Sequence, residues 1–213
     1  PRRKIRKKIR SQMPSETDCL NDALSQIGAA RITAIDDGSV NANYCKVLYP
    51  TLRTSLLRNH HWNFALMRLQ LAQDATIPPF EFAFSYTLPA DLLKIVEYNG
   101  ALASVNVVDL GLVWYAAMGR FVVEGRKILT NDGEVKIVYI KDVTDPNQWD
   151  ALFYQVVTTW LAGKLAGPIT KNHAMGAELI KNALGFLLPM ATAVDGQEGT
   201  TIPFRVDDLL WGR

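Results

Sequence analysis

The sequence has few cysteines and no long apolar run. Its 213 residues include two cysteines, Cys19 and Cys45, too few for the disulfide framework of small secreted domains, so a reducing compartment is the default. The longest apolar runs, at 110–118 and 185–191, are much shorter than the roughly 20 residues that cross a bilayer. We therefore expect no membrane partner. No apolar segment follows the basic N-terminal residues, so we also expect no signal peptide.

The spacing patterns of common enzyme and metal sites are also lacking. Gly-rich phosphate-binding motifs are absent, and the acidic pairs at 36–37 and 207–208 have no histidine or third acid nearby. Because adjacent side chains diverge on a helix or a strand, His60 and His61 are expected not to share one ion. We expect neither an enzyme nor a cofactor. Three further candidate ligands lack metal-ligand spacing and are interpreted as packing residues: Cys19, Cys45 and His173.

What is present fits a folded globular chain with one main core. Hydrophobic residues make up 48% and charged residues 21% of the sequence, which excludes disorder and collagen-like repeats. A chain of 213 residues is long enough for one core and an inserted lobe.

The charge is unevenly distributed. Residues 1–10 hold seven of the 23 basic residues and no acidic residue, so residues 11–213, with 16 basic and 21 acidic residues, carry a net charge of −5. The basic arm, residues 1–14, has two open interpretations. One is an electrostatic contact with nucleic acid or an acidic protein surface, and the other is a solubilising tail or sequence before a natural start at Met13. Its candidate partner-binding residues are Arg2, Arg3, Lys4, Arg6, Lys7, Lys8 and Arg10.

Apolar residues at helical spacing predict two helices in the first part of the chain. The first, 16–28, begins after a capping Ser15 and ends at Gly28. The second, 40–59, contains Pro50, which we expect to kink it. The predicted apolar face of the second helix comprises Val40, Tyr44, Val47, Leu48, Leu52 and Leu56.

Two more helices are predicted towards the C-terminus. The third begins at 145–146, where Asp precedes Pro, and ends at the Gly-Pro pair 167–168. The fourth is capped by Thr170 and stops at Pro189. Two residues of the third helix are expected to face the first two helices: Trp160 and Leu161.

Between the helices, the apolar residues alternate and β-branched and aromatic residues are enriched, which predicts a β-rich lobe over 61–144. Asn131-Asp132-Gly133 is expected to form a hairpin between the last two strands. The predicted strands are 64–72, 80–86, 94–98, 113–117, 121–124, 127–130 and 134–141.

The predicted fold class is α+β, a bundle of about four helices with an inserted antiparallel β-rich lobe and extended termini. The bundle comprises 15–60 and 145–188, and an extended tail follows at 189–213. Most tryptophans lie on periodic apolar faces and are interpreted as core residues. The tail instead carries apolar residues with no local partner, so we predict that it docks on an adjacent subunit or another protein. These candidate partner-binding residues are Phe204, Leu209, Leu210 and Trp211.

An ordered set of short segments also carries a family resemblance. Two groups, in chain order, are 19–28 (CLNDALSQIG), 41–42 and 62–65 (WNFA), then 130–131, 135–139 (VKIVY), 143–146 (VTDP), 161–166 and 168–171. Over about 15–187, this set resembles the tail tubular protein A family of podoviruses, the head-to-tail adaptor or gatekeeper proteins. The basic arm, Pro50 and the Gly-rich segment after Pro189 depart from the family pattern.

The resemblance implies a structural virion protein rather than an enzyme. Members of the family form a ring, dodecameric in the family, beneath the portal protein, present a platform to the tail nozzle protein, and let DNA pass through the middle. An acidic body suits a channel through which DNA must slide without sticking. The alternative is a nucleic-acid-binding module that acts through the basic arm.

Overall fold

The computed structural model describes residues 14–103 and 121–198, which fold into helices and antiparallel sheets. The α+β class is therefore confirmed. The expected strand at 113–117, most of the basic arm and residues 199–213 lie outside the described residues. In chain order the helices and strands are α1 (Glu16–Gln26), α2 (Val40–Asn59), β1 (Leu66–Leu71), β2 (Phe84–Thr87), β3 (Leu92–Tyr98), β4 (Ala101–Leu102), β5 (Phe121–Glu124), β6 (Lys127–Thr130), β7 (Val135–Lys141), α3 (Ala151–Leu165), α4 (His173–Asn182) and α5 (Leu188–Glu198).

Helix α1 begins where predicted because Ser15 caps it. The Asp18 amide donates to Ser15 Oγ at 3.1 Å, and the Ser15 amide donates to Asp18 Oδ2 at 3.0 Å, which is a reciprocal capping box. The helix ends at Gln26, and Gly28 follows with a φ of 68°, a conformation that glycine adopts without steric cost.

Helix α2 has the predicted bounds and continues through Pro50, but only half of its predicted apolar face is correct, because Leu52 and Leu56 are buried and Leu48 packs against the core. Val40, Tyr44 and Val47 are exposed, and Val47 retains 72% of its accessible surface. Helix α2 thus carries two apolar stripes, one buried and one exposed. Because the stripes are adjacent on the helix, helical spacing alone does not distinguish them. The bend at Pro50 stays a prediction. The buried stripe comprises Ala42, Cys45, Tyr49, Leu52, Arg53, Leu56 and Leu57.

The strands form two antiparallel sheets, with strand orders β1-β7-β3-β4 and β2-β6-β5. Strand β7 is buried on both faces because successive side chains of a strand point in opposite directions. Val138 and Ile140 belong to the helical core, whereas Val135, Ile137 and Tyr139 pack in a second cluster between the sheets. Strand β7 therefore connects the two apolar clusters of the described chain.

The predicted hairpin at Asn131-Asp132-Gly133 is wrong, because β6 and β7 lie in different sheets. The segment between them crosses from one sheet to the other and is held by Asp132, whose carboxylate accepts from Tyr98 Oη at 2.8 Å. The hairpin lies one strand earlier, between β5 and β6, where Gly125 has a φ of 57° in a two-residue turn.

Strand boundaries shift from the predictions where the local backbone resists extension. Residues 63–65 form a short 3-10 helix, so β1 begins at Leu66 rather than Phe64. Glu81 has a φ of 67°, which is incompatible with a strand, and β2 begins only at Phe84.

The helical core is built around α3 and three aromatic residues. Phe153 packs edge-on between Trp62 and Trp149, with ring centroids 4.9 and 5.2 Å away. The prediction that tryptophans serve as core residues is confirmed for Trp62 and Trp149, which are both buried. Leu161 is fully buried, but Trp160 is only half-buried, because adjacent positions on a helix point about 100° apart.

The predicted ends of α3 need correction. Asp145 caps only a 3-10 turn, Pro146–Gln148, and α3 itself is capped by Asp150, which accepts from the Leu152 amide at 2.7 Å. The helix does not end at 167–168, because a π-helical turn, Ala166–Thr170, extends it. The next cap is Asn172 rather than Thr170.

The prediction that the fourth helix stops at Pro189 is wrong. A π-helical turn, Ala183–Leu187, joins α4 to α5, and the helix is continuous from His173 to Glu198. We call it the C-terminal helix. The π turn changes the hydrogen-bond register, so Pro189 falls in the first turn of a new α segment, where a missing amide is tolerated. The expectation of an extended chain is therefore wrong for 189–198.

Candidate protein-interaction surface

The residues that the sequence singles out for partner binding are not among those described. Arg2, Arg3, Lys4, Arg6, Lys7, Lys8 and Arg10 of the basic arm lie before residue 14, and Phe204, Leu209, Leu210 and Trp211 lie after residue 198. Their roles stay predictions. The described chain offers other candidates.

Several side chains of the acidic and histidine pairs have structural roles. Asp37 accepts from the amides of Ser39 and Thr33 at 2.9 and 3.0 Å, and these hydrogen bonds, led by those from Ser39, lower the pKa of the Asp37 carboxyl to about 2. Asp37 therefore holds the turn before α2. Neighbouring Asp36 pairs with Lys46 on the surface. Residues 207–208 lie outside the described chain.

His60 and His61 have separate partners. His60 Nε2 lies 3.0 Å from Asp195 Oδ2, whereas His61 Nε2 lies 3.4 Å from Lys94 Nζ. Burial, and then the nearby Lys94, lower the pKa of His61 below its ordinary value. Within 14–103 and 121–198, no group of three His, Cys, Asp or Glu side chains is arranged to hold a metal ion.

Cys19 and Cys45 are free and buried in the helical core. Burial raises the pKa of both thiols, that of Cys45 to about 11, so both are protonated at neutral pH. Their interpretation as packing residues is confirmed.

The inner face of the C-terminal helix is fixed to the core in two ways. Gly163 of α3 and Gly176 of α4 let the helices approach closely, because a Cβ on Gly176 would lie 2.8 Å from the Gly163 carbonyl oxygen. At the other end, the buried Asp195 carboxylate contacts His60 and accepts from the Asn63 amide at 3.0 Å. We call these Asp195 contacts the Asp195 clasp.

The opposite side of this helix is exposed and carries no charge between residues 182 and 197. Asp195 is the one charged residue in that stretch, and it is buried. Phe186 retains 63% of its accessible surface. An exposed helical face usually carries charged side chains, so this one is a candidate contact site. We call the set the outer face, and its apolar members are Leu184, Phe186, Pro189, Ala193 and Val194.

A second exposed apolar surface lies between α2 and the end of α3. The second apolar stripe of α2 and the π turn after α3 form a groove with a volume of about 610 Å³. The side chain of Lys164 lies at this groove, is exposed, and has no ion pair with another described residue. We call it the α2–α3 groove, and it is lined by Val40, Asn43, Tyr44, Val47, Leu48, Lys164 and Pro168.

Sequence reasoning missed both surfaces, although each leaves a signal. The outer face is signalled by the single charged residue among the 16 residues from 182 to 197. The groove is signalled by apolar residues at two adjacent helical spacings on α2, more than one buried stripe requires.

By length and composition, the C-terminal helix is also long and apolar enough to cross a membrane, and only 11% of its most apolar window is buried. The absence of a membrane partner, expected from the short apolar runs, stays a prediction.

No protein-family model matches the chain, and no similar protein is found among curated proteins.

Proposed function

We propose that this chain is a structural head-to-tail adaptor of a tailed bacteriophage. Copies of the chain would form a closed ring between the portal protein and the tail nozzle protein, with DNA passing through the middle. The proposal of an adaptor protein is based on the resemblance of 15–187 to the tail tubular protein A family. That resemblance also implies a ring of 12 copies. The protein would then belong to the virion, at the head-tail interface.

The observation that supports this proposal best is the outer face of the C-terminal helix. An apolar, uncharged face of more than three turns is costly to leave in water, and a subunit of an obligate assembly buries such faces against its neighbours. In a ring, the same contact is repeated between every pair of neighbouring copies, so the gain from burying an apolar strip of this kind is multiplied around the assembly.

A protein rather than a bilayer is the partner that we propose for this helix. A membrane span centred on the apolar stretch would place the Asp195 carboxylate in the hydrocarbon or break its contacts with His60 and Asn63. The clasp and the close approach at Gly163 and Gly176 hold the inner face on the core, so only the outer face is available to a partner.

We further propose that the helices and the β-rich insertion of one subunit contact different partners. The helices, 15–60 and 145–198, would form the bundle that contacts neighbouring copies, and the β-rich insertion at 61–144 would face the portal or the nozzle. The second apolar cluster supports this division, because it lies wholly within the insertion, in addition to the core that the insertion shares with the helices through residues such as Val138 and Ile140. Phe80 retains 77% of its accessible surface and gives the sheet side an exposed apolar residue that a partner could contact.

The test is a mass measurement of the purified chain, alone and with a podovirus portal protein, together with negative-stain imaging. We expect a ring in at least one of the two samples. The matched variants are Phe186→Glu on the outer face and Phe80→Glu on the sheet side, each at an exposed phenylalanine. We expect the first to abolish the ring and the second to leave it intact.

A chain that stays monomeric in both samples contradicts the adaptor proposal. A ring that survives Phe186→Glu but is lost with Phe80→Glu would place the subunit contact on the sheets instead. Circular dichroism of each monomer checks that the variants are folded.

A further inference from the structure

The α2–α3 groove fits an apolar segment that also carries negative charge. Its walls are mostly apolar, with Val40 at 68% and Val47 at 72% of their accessible surface, and its volume accommodates several side chains. Lys164 lies at the groove and has no ion pair with another described residue. An occupant that supplies apolar side chains next to a carboxylate would satisfy both features.

Residues 207–211 of this chain have that composition. Asp207 and Asp208 directly precede Leu209, Leu210 and Trp211. Leucine and tryptophan are suited to filling an apolar groove, and two adjacent carboxylates complement the lysine at the groove.

We propose that residues 207–211 of one copy dock in the α2–α3 groove of the adjacent copy in the ring. This inference rests on the proposed adaptor function, and it names the partner surface of the C-terminal segment. The contact is heterologous, because a segment on one copy meets a different surface on the next, and such contacts form a ring when the rotation between copies closes.

The direction of the C-terminal helix favours the adjacent copy over the same copy. The helix starts beside its own groove, since His173 lies against Gly167, next to the groove residue Pro168. From His173 the helix runs 25 residues to Glu198, which carries the chain about 38 Å away.

The remaining chain is barely long enough to return. Leu209 lies 11 residues beyond Glu198, which spans at most about 36–40 Å when fully extended. Docking in the groove of the same copy would therefore need a nearly fully extended chain that retraces the whole helix. If the groove of an adjacent copy lies near the end of this helix, residues 207–211 can reach it without a fully extended chain.

The test is a disulfide cross-link in the full chain, assembled alone or with portal protein. The variant carries Val47→Cys in the groove and Leu210→Cys in the segment, and the buried Cys19 and Cys45 provide little background. We expect a ladder of covalent oligomers after mild oxidation. The matched control, Ile77→Cys with Leu210→Cys, places the first cysteine at an equally exposed apolar position on the sheet side and is expected to give no ladder.

Charge reversal gives a second measurement. Lys164→Glu is expected to weaken the association of copies about two- to fivefold at low salt, and Asp207→Lys with Asp208→Lys is expected to restore it. If the second pair of substitutions weakens association further, Lys164 does not contact these carboxylates and the docking proposal fails.

The outcomes separate this inference from the adaptor proposal. A cross-linked species of monomer mass would mean docking within one copy, and a cross-link to portal would mean docking there. Either result overturns the inference. Rings that form without a ladder overturn it as well and leave the adaptor proposal standing, whereas a chain that forms neither ring nor ladder contradicts both.

Discussion

Helix α3 and the C-terminal helix are both rich in apolar residues, but they differ in what covers those residues. Nine of the 15 residues of α3 are buried, whereas only four of the 26 residues of the C-terminal helix are. The apolar surface of α3 therefore stabilises the monomer. The C-terminal helix packs Met175, Leu179, Leu187 and Leu188 against the core, but its exposed apolar side chains, such as Phe186, add little to the stability of the monomer and are available for a partner.

The largest expected effect comes from a pair of phenylalanines, one on each helix. Phe153→Ala removes a fully buried ring from the aromatic cluster with Trp62 and Trp149, and we expect it to cost about 3–5 kcal/mol. Phe186→Ala removes an exposed ring and should change the free energy of unfolding by less than about 0.5 kcal/mol. Urea unfolding of the two monomers measures both, and equal losses would contradict the contrast between the helices.

A smaller effect is expected at the Asp195 clasp. Asp195→Ala leaves the Asn63 amide without its partner and removes the contact with His60, so we expect a loss of about 1–3 kcal/mol. Glu198→Ala, at an exposed position on the same helix, is the matched control and should be near neutral. Hydrogen exchange should speed up in α5 of the Asp195 variant and stay slow in α3. If α5 exchanges at the same rate in both variants, the clasp does not hold this helix.

The effect of His61 titration on the stability of the fold should be smaller than the effect of Asp195→Ala. Burial and Lys94 lower the pKa of His61 in the folded chain, so the unfolded chain binds the His61 proton more readily. Neutral His61 is therefore favoured in the fold. Its contribution to the free energy of unfolding is fully present above about pH 6.5 and is lost as the pH falls through the lower pKa of the folded chain. His61→Gln should flatten that part of the profile measured by thermal unfolding. A profile unchanged by the substitution would show that His61 is not the group responsible.

No change in stability is expected from the basic arm. Deletion of residues 1–12 should leave the melting temperature of the monomer nearly unchanged, because this charged segment cannot bury enough apolar surface to fold by itself. If the chain is a nucleic-acid-binding module, its affinity for DNA should fall steeply with salt concentration and should disappear when residues 1–12 are deleted. A large drop in melting temperature would mean that the arm belongs to the fold.

Local features of the fold could be predicted from the sequence. Ser15 and Asp18 predict the start of α1, and the bounds of α2 and the strands β5 and β6 match their predictions. Each depends on residues that are close in the chain, such as a cap, a turn glycine or a periodic run. The α+β class follows from the order of these elements.

Features that depend on distant residues could not be predicted. The move of β7 into a different sheet from β6 depends on pairing with β1 and β3, not on the turn at Asn131-Asp132-Gly133. The role of Asp195 depends on His60 and Asn63, more than 130 residues earlier. The continuation of the helix past Pro189 depends on a π turn that periodicity does not reveal.

The central claim is that the outer face of the C-terminal helix becomes buried on assembly. The most direct measurement is the rate at which a maleimide modifies Ala193→Cys in the monomer and in the assembled sample, with Ile77→Cys on the sheet side as the reference and the buried native cysteines as a low background. We predict that assembly slows the modification of Ala193→Cys at least about tenfold and that the monomer reacts at the rate of an exposed thiol. An unchanged rate at Ala193→Cys in a sample that has assembled would contradict the claim.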